Sequence, residues 1–168
     1  CSCKKTQRQY IMINIRLFAN EAGQQWNEYV QTHALSTFCH LYGWKKTIED
    51  GFGCKSYYLV AGNNKNFAGV LPLFLVKSKI FGAHLVSMPF MDYGGILSDN
   101  QEASDKLLTE AKRISKTEEV DFLELRHNCP NNFTLVQNLD KVNLRLALCS
   151  EAELWSSFKP EMKNRINK

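Results

Sequence analysis

Ser56-Tyr57-Tyr58-Leu59-Val60-Ala61, then Gly62-Asn63-Asn64-Lys65-Asn66, then Phe67-Ala68-Gly69-Val70-Leu71-Pro72-Leu73-Phe74-Leu75-Val76 is the stretch that decides the fold class. Its two flanks are rich in β-branched and aromatic residues, and its middle is turn chemistry. It therefore predicts an antiparallel hairpin. Upstream, Ile13 to Phe18 reads as a first strand. Asn20 is placed to cap a helix that carries Ala22, Trp26, Tyr29 and Val30 on one face. A second helical stretch is predicted from Thr37 to Asp50, with Phe38, Leu41, Tyr42 and Ile48 as its apolar stripe.

Downstream, Leu85 to Met88 reads as a strand closed by Pro89, followed by an Asp92 to Gly95 loop and a brief extended piece at Ile96-Leu97. A helix from Asn100 to Lys116 presents Ala103, Leu107, Leu108, Ala111 and Ile114, and Asp99 with Glu102 resembles a capping box. Val120 to Arg126 and Val142 to Cys149 read as further strands. Glu151 to Phe158 reads as a short helix, with the basic tail continuing as helix. The sum is an α/β layout with a mixed sheet of about six strands and helices on both faces. Trp26, Phe38, Leu71, Leu73, Leu107, Leu123 and Leu125 are expected in its core. An antiparallel meander ahead of the long helix argues against a doubly wound nucleotide fold.

Composition narrows the classes. The chain has 168 residues, 44% of them hydrophobic, which suits one packed domain. No apolar run approaches the roughly 18–20 residues of a spanning helix, and the polar, basic start lacks a secretory core. A cytoplasmic location without a membrane span is expected. The net charge of +4 comes from +3 in residues 1–11 and +3 in residues 159–168, leaving −2 for the body. That balance does not support a nucleic-acid groove on the body. The six cysteines form no C-x-x-C pair and have no histidine at zinc-finger spacing, so no metal is expected. Cys54 and Cys149 lie in apolar stretches and are expected to be reduced and buried.

Chemistry-bearing motifs are sparse. The phosphate-loop, dinucleotide, nucleophile-elbow and zinc-protease signatures are all missing. Cys39-His40 and His127-Asn128-Cys129 put thiols beside imidazoles, but neighbours along a helix or strand point apart, so adjacency makes no dyad. Tyr93-Gly94-Gly95 has two open readings: a tight turn under a tyrosine lid, or a pocket floor whose amides meet an anionic or peptide-like ligand. Glu124 and Arg126 share a strand face, either as an ion pair on a solvated surface or with Arg126 presented to a ligand at a strand end. Lys45 and Lys46 are either a solvated helix face or, facing a cleft, phosphate contacts.

Four segments in order carry a family resemblance: Thr37-Phe38-Cys39-His40-Leu41-Tyr42-Gly43-Trp44; Ala68-Gly69-Val70-Leu71-Pro72-Leu73; Leu85-Val86-Ser87-Met88-Pro89-Phe90-Met91-Asp92-Tyr93-Gly94-Gly95; and Phe122-Leu123-Glu124-Leu125-Arg126. They resemble the first half of FemAB-like acyltransferases of the GNAT (acyl-CoA N-acyltransferase) superfamily, nearest the branch linked to exopolysaccharide and PEP-CTERM systems. The resemblance implies two tandem GNAT-like domains. Residues 12–158 would be the first. Residues 1–11 would be upstream or unstructured, and residues 159–168 would start the connection to a second domain missing here. It further implies transfer of an acyl or aminoacyl group to an amine, in peptidoglycan or exopolysaccharide biogenesis. The first half mainly binds an anionic sugar–phosphate or peptide acceptor, and the donor, acyl-CoA or aminoacyl-tRNA, is served through the second. Tyr93, Gly94, Gly95 and Arg126, with Lys45 or Lys46, are the expected acceptor residues, and this half alone is expected to be inactive. The rival reading is a non-catalytic binding module on a degenerate GNAT fold. Coenzyme A donors in this superfamily seat a pyrophosphate at a helix start. Here that helix opens Ser98-Asp99-Asn100-Gln101-Glu102, so this half is expected to hold no cofactor.

Overall fold

The computed structural model describes residues 13–19, 23–63, 66–78, 80, 82–128, 133–138 and 146–167. The chain divides into two units, residues 1–131 and 132–168. In the first unit the hairpin forms as expected: β2 (Lys55–Gly62) pairs antiparallel with β3 (Phe67–Ser78), Leu59 opposite Leu71 and Tyr57 opposite Leu73. β1 (Asn14–Leu17) adds to the outer side of β2. The long β3 takes two partners along its other side. β4 (Gly82–Val86) pairs with residues 74–78, and β5 (Leu97–Ser98) with Gly69 and Val70, both antiparallel. β6 (Phe122–Glu124) runs parallel to β4, so the sheet is mixed, in the order β1-β2-β3-β4-β6 with β5 beside β3.

Period-2 alternation sends alternate residues of β2 and β3 to opposite faces. Tyr58, Val60, Val70 and Phe74 face α1 (Gln24–Thr32) and α2 (Trp44–Phe52), packing with Phe18, Trp26, Val30, Tyr42 and Ile48. Leu59, Leu71 and Leu73 are buried on the other face, which α3 (Gln101–Thr117) covers with Leu107, Leu108, Ala111 and Ile114. Gly69 admits that helix closely: a β-carbon there would stand 3.0 Å from Leu107 Cδ1. Helices thus lie on both faces.

Trp26 is the keystone of the α1 face. It is fully buried, touches the Phe18, Tyr42 and Tyr58 rings, and donates its indole N–H to the His40 carbonyl at 2.7 Å. Trp26→Phe keeps most of the apolar area but strands that carbonyl. A loss of about 2 kcal/mol is expected in urea unfolding, the scale of an orphaned buried acceptor plus a small void. A loss under about 0.5 kcal/mol would show that the bond contributes nothing.

Several sequence expectations are corrected. The stretch expected as one helix from Thr37 divides into a 3-10 turn (Phe38–His40) and α2, because Leu41 is extended and Tyr42 N–H is drawn to Asn27 Oδ1. Phe38 therefore lies off the core, 64% exposed. Leu123 and Leu125 are only half-buried, since β6 ends the described sheet. The α3 cap is Asn100, whose side chain accepts from Ala103 N–H, while Asp99 takes the Tyr29 hydroxyl. The first-helix cap Asn20 and the 142–145 part of the last expected strand lie outside the described residues. Residues 146–150 form no strand.

In the second unit, α4 (Glu151–Ser157) starts at Ser150, which exchanges capping bonds with Glu153. α5 (Pro160–Ile166) carries its proline at the first position, where the missing N–H costs nothing. Cys149 is exposed rather than buried, whereas Cys39 and Cys54 are buried free thiols. No described helix is long and apolar enough to cross a membrane.

Candidate functional site

Between β4 and β5 the chain leaves β3 and makes an excursion, Ser87 to Ile96. This is the Ser-Met-Pro-Phe-Met-Asp-Tyr-Gly-Gly segment. Two of its non-glycine residues are left-handed, Met88 at φ 53° and Phe90 at φ 67°, each costing on the order of 1–2 kcal/mol. Met88 is buried under the loop. Phe90 is thrust outward and stacks on Phe52 at the end of α2, ring centroids 4.2 Å apart.

The end of β6 holds this strained loop in place, and Arg126 does most of the holding. Its backbone N–H donates to Ser87 Oγ at 2.8 Å. Its carbonyl accepts from both Gly94 and Gly95 N–H, at 3.0 and 2.8 Å. Its guanidinium donates to the Met91 carbonyl at 2.7 Å, more weakly to Met88, and through Nε and Nη2 to Glu124. Glu124 and Arg126 form an ion pair, and Arg126 also braces the loop from within.

The glycines give the chain room against itself. A β-carbon on Gly94, whose φ is 141°, would sit 2.2 Å from Met88 Cγ, and one on Gly95 would sit 2.7 Å from the His127 ring. Both glycines are buried and their amides are already spent on Arg126, so they set the shape of the turn and offer a ligand no free donors. Tyr93, half-buried, lies on this loop next to the exposed Asp92. Lys45 and Lys46 are on α2, where each pairs one turn ahead within its own helix, with Glu49 and Asp50. Serving an acceptor would require them to leave those partners.

Histidines stitch the other side of the excursion. His40 is buried; its Nδ1 accepts from Thr37 N–H at 3.2 Å and its Nε2 bonds the Gly95 carbonyl at 3.1 Å. Burial pushes its imidazole down to about 4, against the pull of the Gly95 carbonyl. His127 Nε2 accepts from Ile96 N–H at 3.1 Å, and burial lowers this ring too. Both nitrogens of His40 are engaged, so none is left to activate Cys39. Along the sequence these rings stand beside thiols, Cys39 and, one residue removed, Cys129. Their true partners lie 55 and 31 residues away, and no local signal marks such pairings.

The start of α3 does not fit the pyrophosphate of coenzyme A. The Asn100 side chain already occupies the Ala103 amide, and Glu102, paired with Lys106, puts a carboxylate in the first turn. An incoming anion would meet negative charge where such sites need free N–H groups. Among the described residues, no group of three or more His, Cys, Asp or Glu is placed to hold a metal ion.

No protein-family model matches this sequence, and no curated protein matches it. Solved structures share its fold. A transcriptional regulator from Bacillus halodurans C-125 superposes with a TM-score of 0.51 at 13% identity, over 81% of this chain and 99% of that one. A GNAT family acetyltransferase from Staphylococcus aureus subsp. aureus USA300_TCH1516 gives 0.50 at 16% identity, over 81% and 100%. A ribosomal-protein-alanine N-acetyltransferase from Brucella melitensis biovar Abortus 2308 gives 0.50 at 13%, over 80% and 99%. The chain has the α/β fold of GNAT acetyltransferases.

Proposed function

We propose that this domain is the acceptor-binding half of a FemAB-like N-acyltransferase or aminoacyltransferase that works in the cytoplasm on peptidoglycan or exopolysaccharide precursors. One observation carries the reading. The four segments that bear the family resemblance are far apart in sequence, yet they converge on one loop. His40 from the first bonds Gly95 in the third. Gly69 and Val70 from the second pair with the strand that follows the loop. Arg126 from the fourth grips Ser87, Met91, Gly94 and Gly95.

The acceptor, an anionic sugar–phosphate or peptide species, rests against Tyr93 on the turn whose shape the buried Gly94 and Gly95 set. Tyr93 stacks on it or bonds it through its hydroxyl, and Arg126 fixes the turn's shape and contributes positive charge from beneath. The donor, acyl-CoA or aminoacyl-tRNA, is handled by a second GNAT-like domain, since the α3 start here does not suit an anion. The rival, a non-catalytic module on the same fold, would bind at the same loop without transfer. Tyr93→Ala is expected to weaken binding of a peptidoglycan-precursor peptide by about tenfold, the loss of one aromatic contact. Calorimetry checks it, and wild-type affinity in the variant would remove Tyr93 from the site.

A further inference from the structure

Three imidazoles close on one short stretch, Gly95 to Ser98, which joins the strained loop to α3. His33 stands at the end of α1, His40 on the 3-10 turn and His127 just past β6. His33 Nε2 bonds the Ser98 carbonyl at 3.2 Å, His40 Nε2 bonds the Gly95 carbonyl at 3.1 Å, and His127 Nε2 meets Ile96 N–H at 3.1 Å. We propose that His40 and His127 form a proton-sensitive latch that seats Gly95–Ser98 at neutral pH and releases it on acidification, with His33 a further contact on Ser98.

The chemistry follows from which nitrogens must accept. Leu35 N–H points at His33 Nδ1 at 3.2 Å, Thr37 N–H at His40 Nδ1 at 3.2 Å, and Ile96 N–H at His127 Nε2. A backbone amide can only donate, so each of these ring nitrogens has to keep its lone pair. His40 is thereby fixed as the neutral Nε2–H tautomer, the form that can donate to Gly95, and the His33 contacts call for the same Nε2–H placement toward Ser98. His127 is fixed with its proton on Nδ1, toward the Leu125 backbone. A proton added to His40 or His127 costs a main-chain hydrogen bond, and His127 acts on His40 electrostatically, so charging both rings together is worse still.

The surrounding charged and titratable groups give no relief. The Tyr29 ring lies 5.7 Å from His33, and its hydroxyl engages Asp99, the carboxylate next to Ser98. Glu124 on β6 is engaged by Arg126. On His40 the near groups are the Thr37 hydroxyl, at 3.0 Å from Nδ1, and the Trp26 indole on its carbonyl. The His127 ring packs close to the segment: a β-carbon added at Gly95 would stand 2.7 Å from it.

Two measurements on the same chain test the latch. Nitrogen-15 spectra of the imidazoles near pH 7.5 should show Nε2–H for His33 and His40 and Nδ1–H for His127. Amide exchange, corrected for intrinsic rates, should then lose protection at Ile96 and Leu97 by about tenfold or more relative to Leu107 and Ala111 of α3 between about pH 7.5 and 5. The His40→Gln/His127→Gln double variant keeps side-chain amides in reach and cannot titrate, so its ratio should change by less than about twofold. A protonated ring or a reversed tautomer at neutral pH overturns the proposal. So does a wild-type ratio that stays flat on acidification, or a folded double variant that follows the wild type. If the double variant fails to fold, the wild-type tautomers and exchange ratio still decide.

Discussion

Arg126→Met is expected to lower the stability of the domain by about 3 kcal/mol, with the urea midpoint falling and the slope unchanged. The side chain is 27% exposed and Glu124 rather more so, which discounts their ion pair. The larger share comes from the donors to the Met88 and Met91 carbonyls, because these hold two left-handed residues that would otherwise relax. Arg126→Lys should keep a charge but not the fork, and is expected to lose about half as much. Amide exchange should speed up in residues 88–95 before it does in α3. A loss under about 0.5 kcal/mol for Met would mean that the loop holds its shape without the brace.

Acidification is the second large effect. An unfolded imidazole takes up its proton near pH 6.5, whereas folded His40 resists until about 4. Between those values the unfolded chain binds more protons, so stability falls as pH drops through that window, by about 3 kcal/mol for this group. Above the window His40 contributes fully and without slope. His127, lowered by burial as well, acts in the same direction. Urea midpoints measured at several pH values check this. His40→Gln should flatten the slope. An unchanged wild-type midpoint down to about pH 5 would contradict the assigned burial and bonding of His40.

The sheet and long helix were legible in the sequence because their signals are local. The β2–β3 hairpin announces itself through Val60, Val70 and the Asn-rich turn between strands, and α3 through the spacing of Ala103, Leu107, Ala111 and Ile114. The break at Leu41 was not legible. Phe38 and Ile48 fit one helical stripe, and only the tertiary pull of Asn27 on Tyr42 interrupts it. For the site, the sequence singled out the loop and Arg126 but not their relation. That Gly94 and Gly95 amides terminate on the Arg126 carbonyl, and that His40 and His127 hold Gly95 and Ile96, depends on contacts across many residues of chain. Left-handed Met88 and Phe90 had no signal at all, since neither residue type favours that conformation.

In the function proposed above, this GNAT-fold domain serves an acceptor and not the coenzyme A donor. Paired calorimetric titrations of the chain test it most directly, one with acetyl-CoA and one with an anionic peptidoglycan-precursor peptide. The account predicts saturable binding of the precursor. For acetyl-CoA it predicts no heat up to about 1 mM, because Asp99, Glu102 and the Asn100 cap occupy the helix start that a pyrophosphate would need. Micromolar binding of acetyl-CoA with none of the precursor would contradict it.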